Sequence, residues 1–236
     1  METMKYKAVC FDIDGTLYPP RLLRQYMINL AFAHPFWSAK YGRMRQAFRE
    51  LQSTFEETGL GPFPFRDREA MVFIKTMRFR KMKLLEARKR LDSGYYKYLA
   101  DIYETLGKQP ETEKTLGKLK DHGIVTAVFS DWPLWDKLER MGLDSLIDMK
   151  YSSDDCGYLK PDTHCFDFIL DKLGLEAKDV LFVGDSYAKD ITGAAGAGMD
   201  AVLVGTKDEE GRYPLATEVF EEWKEFDAWI DRQLEA

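Results

Sequence analysis

A parallel β-sheet flanked by helices, with an all-helical segment inserted after its first strand, is the α/β fold class this sequence predicts. Three observations carry the prediction. Short apolar runs that end in Gly, Asp or Ser recur along the chain, as strands buried on both faces do. From about residue 107 onward these runs alternate with stretches of helical periodicity, the pattern of strands joined by helical crossovers. Between about Arg21 and Leu106 the apolar spacing is helical almost throughout.

The first strand is read from Val9-Cys10-Phe11-Asp12-Ile13-Asp14-Gly15-Thr16-Leu17, where Gly15 allows a sharp exit turn. Asp12 and Asp14 then stand at the strand's carboxyl end, the edge where open α/β sheets bind ligands. Two carboxylates repel each other there unless a cation or complementary chemistry compensates, and a metal site resolves this. Taken alone, the pair also reads as ordinary turn residues that terminate a strand.

The helical segment follows, with breaks expected at Pro35, around Gly59 to Pro64 and at Gly94. The sheet then resumes. Expected elements are a helix over Glu111–His122, a strand over Ile124–Phe129, a helix over Pro133–Met141 and a short strand near Asp148–Tyr151. A helix over Asp162–Leu173, a strand over Val180–Val183, a helix over Ala188–Gly198 and a strand over Ala201–Val204 complete the alternation. Phe220, Trp223, Phe226 and Ile230 at helical spacing predict a terminal helix packed on the core, in preference to one that docks a partner.

Three further motifs belong at the same sheet edge. Val180-Leu181-Phe182-Val183-Gly184-Asp185-Ser186 is an apolar strand ending in a carboxylate, with Asp190 five residues beyond Asp185. Ala127-Val128-Phe129-Ser130 ends in a hydroxyl, and Gly157-Tyr158-Leu159-Lys160-Pro161-Asp162 puts a cation in a loop before a helix. With these four motifs in this order, the sequence resembles the haloacid dehalogenase-like hydrolase superfamily over most of its length.

The resemblance implies a Rossmann-like core with an aspartyl-phosphate mechanism. Asp12 maps onto the nucleophile, Asp14 onto the general acid/base, Ser130 onto the phosphoryl contact, and Lys160 onto the residue that balances charge. Asp185 is implied as a magnesium ligand together with Asp12 and the Asp14 backbone carbonyl, and Asp190 as its support. The family commonly carries a mobile cap where the helical insert lies, which divides the chain into a catalytic core (1–16 and 107–236) and a cap (17–106). Hinges are expected near Thr16 to Pro20 and Gly107 to Pro110.

One residue departs from the family pattern. Many relatives have Asn after the strand-end Ser or Thr, where this chain has Asp131-Trp132-Pro133. A further carboxylate beside a phosphate pocket is unfavourable unless it points away, caps the helix expected from Pro133, or meets a cationic part of the substrate. Helix capping is the expectation, with Asp131 kept among the candidate substrate-binding residues beside Ser130 and Lys160.

The chemistry also follows from the residues. A carboxylate can attack an anionic phosphate monoester only if charge is neutralised, by Lys160 and a hard cation such as magnesium. A phosphatase acting on a small phosphorylated metabolite is the expected function. A sugar phosphomutase would share the intermediate, a dehalogenase would need neither metal nor Asp14, and a silent phospho-ligand-binding module would not need the intact charged set. Cys10, Cys156, Cys165, His34, His122 and His164 are scattered along the chain without zinc spacing.

Composition excludes other classes. With 236 residues and 45% hydrophobic content the chain can bury a sizeable core, and a net charge of −6 argues against a general nucleic-acid binder. The amino terminus lacks the apolar core of a signal peptide and no stretch has transmembrane length, so neither membrane nor secretion is expected. Three cysteines cannot all pair, which favours free thiols and a cytoplasmic address.

Within the insert, Arg66 to Arg90 holds ten Lys or Arg against three acids. This reads either as a solvated face, with Met71, Ile74, Met77 and Leu85 buried behind it, or as a patch that steers a polyanionic substrate, for which Arg78, Arg80 and Lys81 are the residues to test. Phe32, Phe36, Trp37, Tyr41, Phe63 and Phe65 are expected to form a small core of the insert. The Gly193–Gly198 run lacks a Lys-Ser/Thr ending, so close helix–sheet packing explains it better than a phosphate loop.

Overall fold

The computed structural model describes residues 4–61, 63–79, 81–103 and 107–235. Strand β1 (Ala8–Phe11) is buried at every position and lies between β2 (Val125–Ser130) and β4 (Val180–Gly184), parallel to both. With β3 (Met149–Ser152), β5 (Asp200–Val204) and β6 (Glu218–Phe220) it forms a six-stranded parallel sheet in the order β3-β2-β1-β4-β5-β6. Cover on both faces explains why the central strands β1 and β4 are apolar and buried throughout, with no polar alternation.

Register positions the site. Phe11 pairs with Val128 on one side and Val183 on the other, and the Asp12 amide donates to the Val183 carbonyl at 2.8 Å. The residues that follow β1, β2 and β4 therefore emerge level with one another, where the strand order reverses between β1 and β4.

The chain between β1 and β2 is helical, as expected: α1 (Pro20–Ala33), α2 (Pro35–Leu51), α3 (Phe65–Thr76), α4 (Leu84–Leu91) and α5 (Lys97–Tyr103). Pro20 and Pro35 stand at the starts of their helices, where a missing N–H costs nothing. The expected break at Gly94 does not occur. Gly94 sits in a single π turn (Asp92–Tyr96) that runs on from α4 into α5, and the Trp37 ring packs where its side chain would stand. The chain breaks instead between α3 and α4, where Arg78 takes φ 57°.

Burial inside the insert also departs from expectation. Ala70, Val72 and Phe73 form the buried face of α3, whereas Leu85 is 64% exposed at the start of α4. Tyr41, Phe48, Phe55, Phe65 and Phe73 are buried together, but Phe32 and Phe36 face solvent. Helical spacing alone does not say which stripe meets a neighbour.

Beyond the insert, α6 (Thr112–Asp121), α9 (Thr163–Leu173) and α10 (Thr192–Gly196) fall within the expected spans, α10 being preceded by a π turn at Tyr187–Ile191. The helix expected over Pro133–Met141 shrinks to α7 (Lys137–Arg140). Pro133 disfavours helical geometry in Trp132, and Trp135 adopts φ 43°, so regular helix starts only after both. Phe220 lies on β6, and the terminal helix α11 spans Trp223–Glu235. Gly193 packs against the Phe166 ring, leaving no room for a side chain, in keeping with the packing role expected of the glycine run. Among the described residues, no helix is long and apolar enough to cross a membrane.

Candidate active site

Asp12 leaves β1 into a buried ion cluster. Lys160 Nζ donates to its Oδ1 at 2.6 Å and Thr16 Oγ1 to its Oδ2 at 3.2 Å. The same ammonium stands 2.6 Å from Asp190 Oδ1, and Lys160 is only 1% exposed. Burial would lower the Lys160 pKa, but Asp12, Asp190 and Asp131 outweigh it and hold it well above the ordinary lysine value. Burial raises the Asp12 carboxyl, Lys160 pulls it down, and Asp190 and Asp14 push it up, leaving it at about 6.

Asp185, at the end of β4, completes the cluster. Asp12, Asp185 and Asp190 each offer an oxygen within 4.8 Å of the others. Burial, followed by repulsion from Asp12 and Asp190, pushes the Asp185 carboxyl up to about 8. Asp190 is itself buried, its Oδ1 against the Lys160 ammonium and its Oδ2 accepting from the Ser186 amide at 2.9 Å. Three carboxylates around one buried lysine form an oxygen-only donor set with excess negative charge, which fits a hard divalent cation. Two glycines permit this approach: at Gly15 (φ 111°) a side chain would collide with the Asp185 carboxylate, and at Gly184 with Asp190. Asp190, expected only in support, therefore stands inside the cluster.

The Asp14 carboxylate turns elsewhere, so its side chain is not part of the expected metal set. It accepts from Lys137 Nζ at 2.9 and 3.1 Å, from Tyr18 OH at 2.9 Å, and from the Ser130 hydroxyl. Ser130 in turn accepts from the Trp132 amide at 3.0 Å and lies 3.5 Å from Lys137 Nζ. Burial lowers the Lys137 pKa more than Asp14 raises it. Nothing in the local sequence marks Lys137, because lysines on short helices are normally solvated. Only the fold shows that α7 delivers its amine under the end of β2.

Asp131 caps no helix. Its Oδ2 accepts from Arg49 Nη2 at 2.7 Å, its Oδ1 from the Lys160 amide at 3.0 Å, and its carbonyl from Arg45 Nη2 at 3.0 Å. Burial alone would raise its carboxyl, but Lys160, Arg45 and Arg49 hold it at about 2. From the same face of α2, Arg49 Nε donates to the Lys160 carbonyl at 2.9 Å. One turn on, the Gln52 amide pairs with both backbone groups of Leu159, at 2.8 and 2.9 Å. The extra carboxylate is thus compensated by arginines of the helical segment, and the Lys160 loop is gripped between α2 and Asp131.

A cavity of about 440 Å³ opens above these groups. The Asp12, Asp14, Lys160 and Asp185 end is charged, whereas Leu23, Met27, Tyr41 and Tyr95 form an apolar wall supplied by the helical segment. Its cations from that segment are Arg45 and Arg49. No described residue of the basic stretch from Arg66 to Arg90 lines it. Arg66 pairs with Glu69 and Asp92, and Arg88 with Asp67, while Arg78 and Lys81 border a separate shallow surface beside Phe79. Arg80 lies outside the described residues. Among the described residues this stretch therefore stands outside the cavity, part of it solvated and part, Arg66 and Arg68, packed into the insert.

Residues 6–198 match the family model of the haloacid dehalogenase-like hydrolases. A glyceraldehyde 3-phosphate phosphatase of Methanothermobacter thermautotrophicus is 30% identical over 208 residues, covering 85% of this chain and 86% of the relative. The (S)-2-haloacid dehalogenase 4A of Burkholderia cepacia is 33% identical over 121 residues, half of this chain and 52% of its own length. Among solved structures, the hydrolase YfnB of Bacillus subtilis, bound to magnesium, superposes with a TM-score of 0.62 at 18% identity, covering 96% of this chain and 99% of that one.

Proposed function

This chain belongs to the haloacid dehalogenase-like hydrolases, and from that premise we propose that it is a phosphatase hydrolysing a small phosphorylated metabolite through an aspartyl phosphate on Asp12. The observation that favours this over a dehalogenase is the second carboxylate. Asp14, held by Lys137, Tyr18 and Ser130 beside the Asp12–Asp185–Asp190 cluster, is what departure of an alkoxide requires and what departure of a halide does not.

Asp12 attacks phosphorus in line, the bond to the leaving oxygen breaks, and Asp14 gives that oxygen its proton. Asp14 then takes a proton from the water that attacks the aspartyl phosphate, releasing phosphate and restoring Asp12. Lys160 balances the charge of the nucleophile, and Ser130, buried with its hydroxyl on Asp14, holds that carboxylate in place. Asp12, Asp185 and Asp190 would hold magnesium, which would neutralise charge on the phosphoryl oxygens.

Residues 17–106 act as a cap on a core of residues 1–16 and 107–236, since they furnish one wall of the cavity. A leaving group enclosed there must be small, and enclosure excludes water during transfer. The triose phosphate named for the 30% identical relative is of that size class. The three unbonded cysteines accord with a cytoplasmic address. A screen of phosphorylated metabolites with purified protein tests the reading. Turnover should vanish on chelation and return with magnesium, whereas undiminished activity in excess chelator, or halide release from a 2-haloacid, would replace it with the dehalogenase reading.

A further inference from the structure

Two cysteines that are nine positions apart in the sequence meet in space. Cys156 closes the one-turn helix α8 (Ser153–Cys156) and Cys165 lies in the first turn of α9, with their Sγ atoms 3.8 Å apart. The eight residues between them include Lys160 and the backbone groups through which Arg49, Gln52 and Asp131 grip its loop. We propose that Cys156 and Cys165 form an oxidation-sensitive dithiol, whose disulfide closes a ring around the Lys160 loop and slows the enzyme.

The two thiols differ in a way that suits such a pair. Cys156 is partly exposed, whereas Cys165 is fully buried, and burial keeps its thiol protonated well above the ordinary range. A peroxide therefore meets Cys156 first. The Cys156 thiolate attacks one peroxide oxygen, the O–O bond breaks, and the departing hydroxide takes a proton and leaves as water, giving a sulfenic acid. The Cys165 sulfur then attacks the Cys156 sulfur, the S–O bond breaks, and a second water leaves with the Cys165 proton. One peroxide and two thiols give one disulfide and two waters, the sulfurs losing the two electrons that the peroxide oxygens gain. Cys10, buried in β1, takes no part.

The bond must disturb the loop. A disulfide needs its sulfurs about 2.05 Å apart, so the pair must close by roughly 1.8 Å. Cys156 Sγ now accepts from the Tyr158 amide at 3.4 Å and donates to the Tyr158 carbonyl at 3.5 Å. Oxidation removes that donor and draws the sulfur towards α9. Gly157 between them is already at φ 85° with the Arg68 guanidinium against it, which leaves little slack. The displacement is passed along two residues to Lys160, whose amine stands 2.6 Å from Asp12. A misplacement of about 1 Å at a reacting centre costs on the order of a hundredfold in rate.

The test uses the full chain, reduced and then treated with hydrogen peroxide. The intact mass should fall by about 2 Da, two hydrogens, with peptide mapping joining Cys156 to Cys165. Turnover of an aryl phosphate should drop at least about tenfold and return with dithiothreitol. Cys156→Ser should keep the activity of the reduced enzyme and lose both responses, and Cys165→Ala should stop at a trapped sulfenic acid on Cys156. Mass mapping requires no substrate, so it stands apart from the phosphatase reading. Absence of the Cys156–Cys165 link overturns the proposal, as does a link that leaves turnover unchanged.

Discussion

Lys137→Met asks how much the site depends on a residue that no motif announces. The substitution keeps the length of the stem and removes an ammonium that is 1% exposed and donates twice to Asp14, at 2.9 and 3.1 Å. Asp14 is itself 7% exposed at the side chain, so the change leaves a buried carboxylate short of its counter-charge. Removing one partner of a buried ion pair costs about 3–5 kcal/mol. Tyr18 and Ser130 still donate to Asp14, so the low end, about 3 kcal/mol, is expected.

For a chain of this length that corresponds to a fall in Tm of roughly 6–12 °C. The kinetic effect should depend on the leaving group. A displaced Asp14 loses general acid help worth at least about a hundredfold, so kcat towards an alkyl phosphate should fall by that factor. With an aryl phosphate, whose leaving group departs without a proton, formation of the aspartyl phosphate should change little, so a burst of phenol persists while steady-state turnover slows with the loss of Asp14 as base. Lys137→Arg should recover part of the alkyl rate. The assay is the single-turnover phosphorylation rate, kcat and KM for both substrates beside a thermal melt. Equal losses in the single-turnover phosphorylation rate on both substrates, or native alkyl turnover with an unshifted melt, would refute the positioning role.

Asp12→Asn should abolish phosphoenzyme and turnover together, as read by trapping with labelled substrate, whereas Asp14→Asn should slow phosphorylation by poor leaving groups by about a hundredfold or more and slow hydrolysis of the aspartyl phosphate for every substrate. Lys160, Arg45 and Arg49 hold the Asp131 carboxyl at about 2, below its ordinary value of 3.8, so the stabilisation it shares with them is full above about pH 4 and fades as pH falls towards 2. An acid-unfolding curve should show this loss, on the order of 2 kcal/mol, and Asp131→Asn should flatten it. Neutralising Arg78 and Lys81 together should leave the KM for an anionic substrate unchanged at low salt. A rise there would return the steering role to that stretch.

The sheet was legible because buried parallel strands are short, apolar and punctuated, so β1, β2 and β4 announce themselves and their ends. Asp12, Ser130 and Asp185 follow from that, since each is the residue or two after an apolar run, and parallel register brings such ends level. Lys160 was legible from its place in a loop before a helix together with the other motifs. What the sequence could not carry is which faces meet. Leu85 and Met71 share the helical spacing of a buried stripe, yet the stripe that meets a neighbour on α3 is Ala70, Val72 and Phe73. Asp131 looked like a helix cap because its true partners, Arg45 and Arg49, are more than eighty residues away and reach it only once α2 lies over the loop after β2. Lys137 and the Cys156–Cys165 pair are of the same kind. Their chemistry comes from burial and from contacts between elements, quantities that local periodicity does not encode and that packing alone decides.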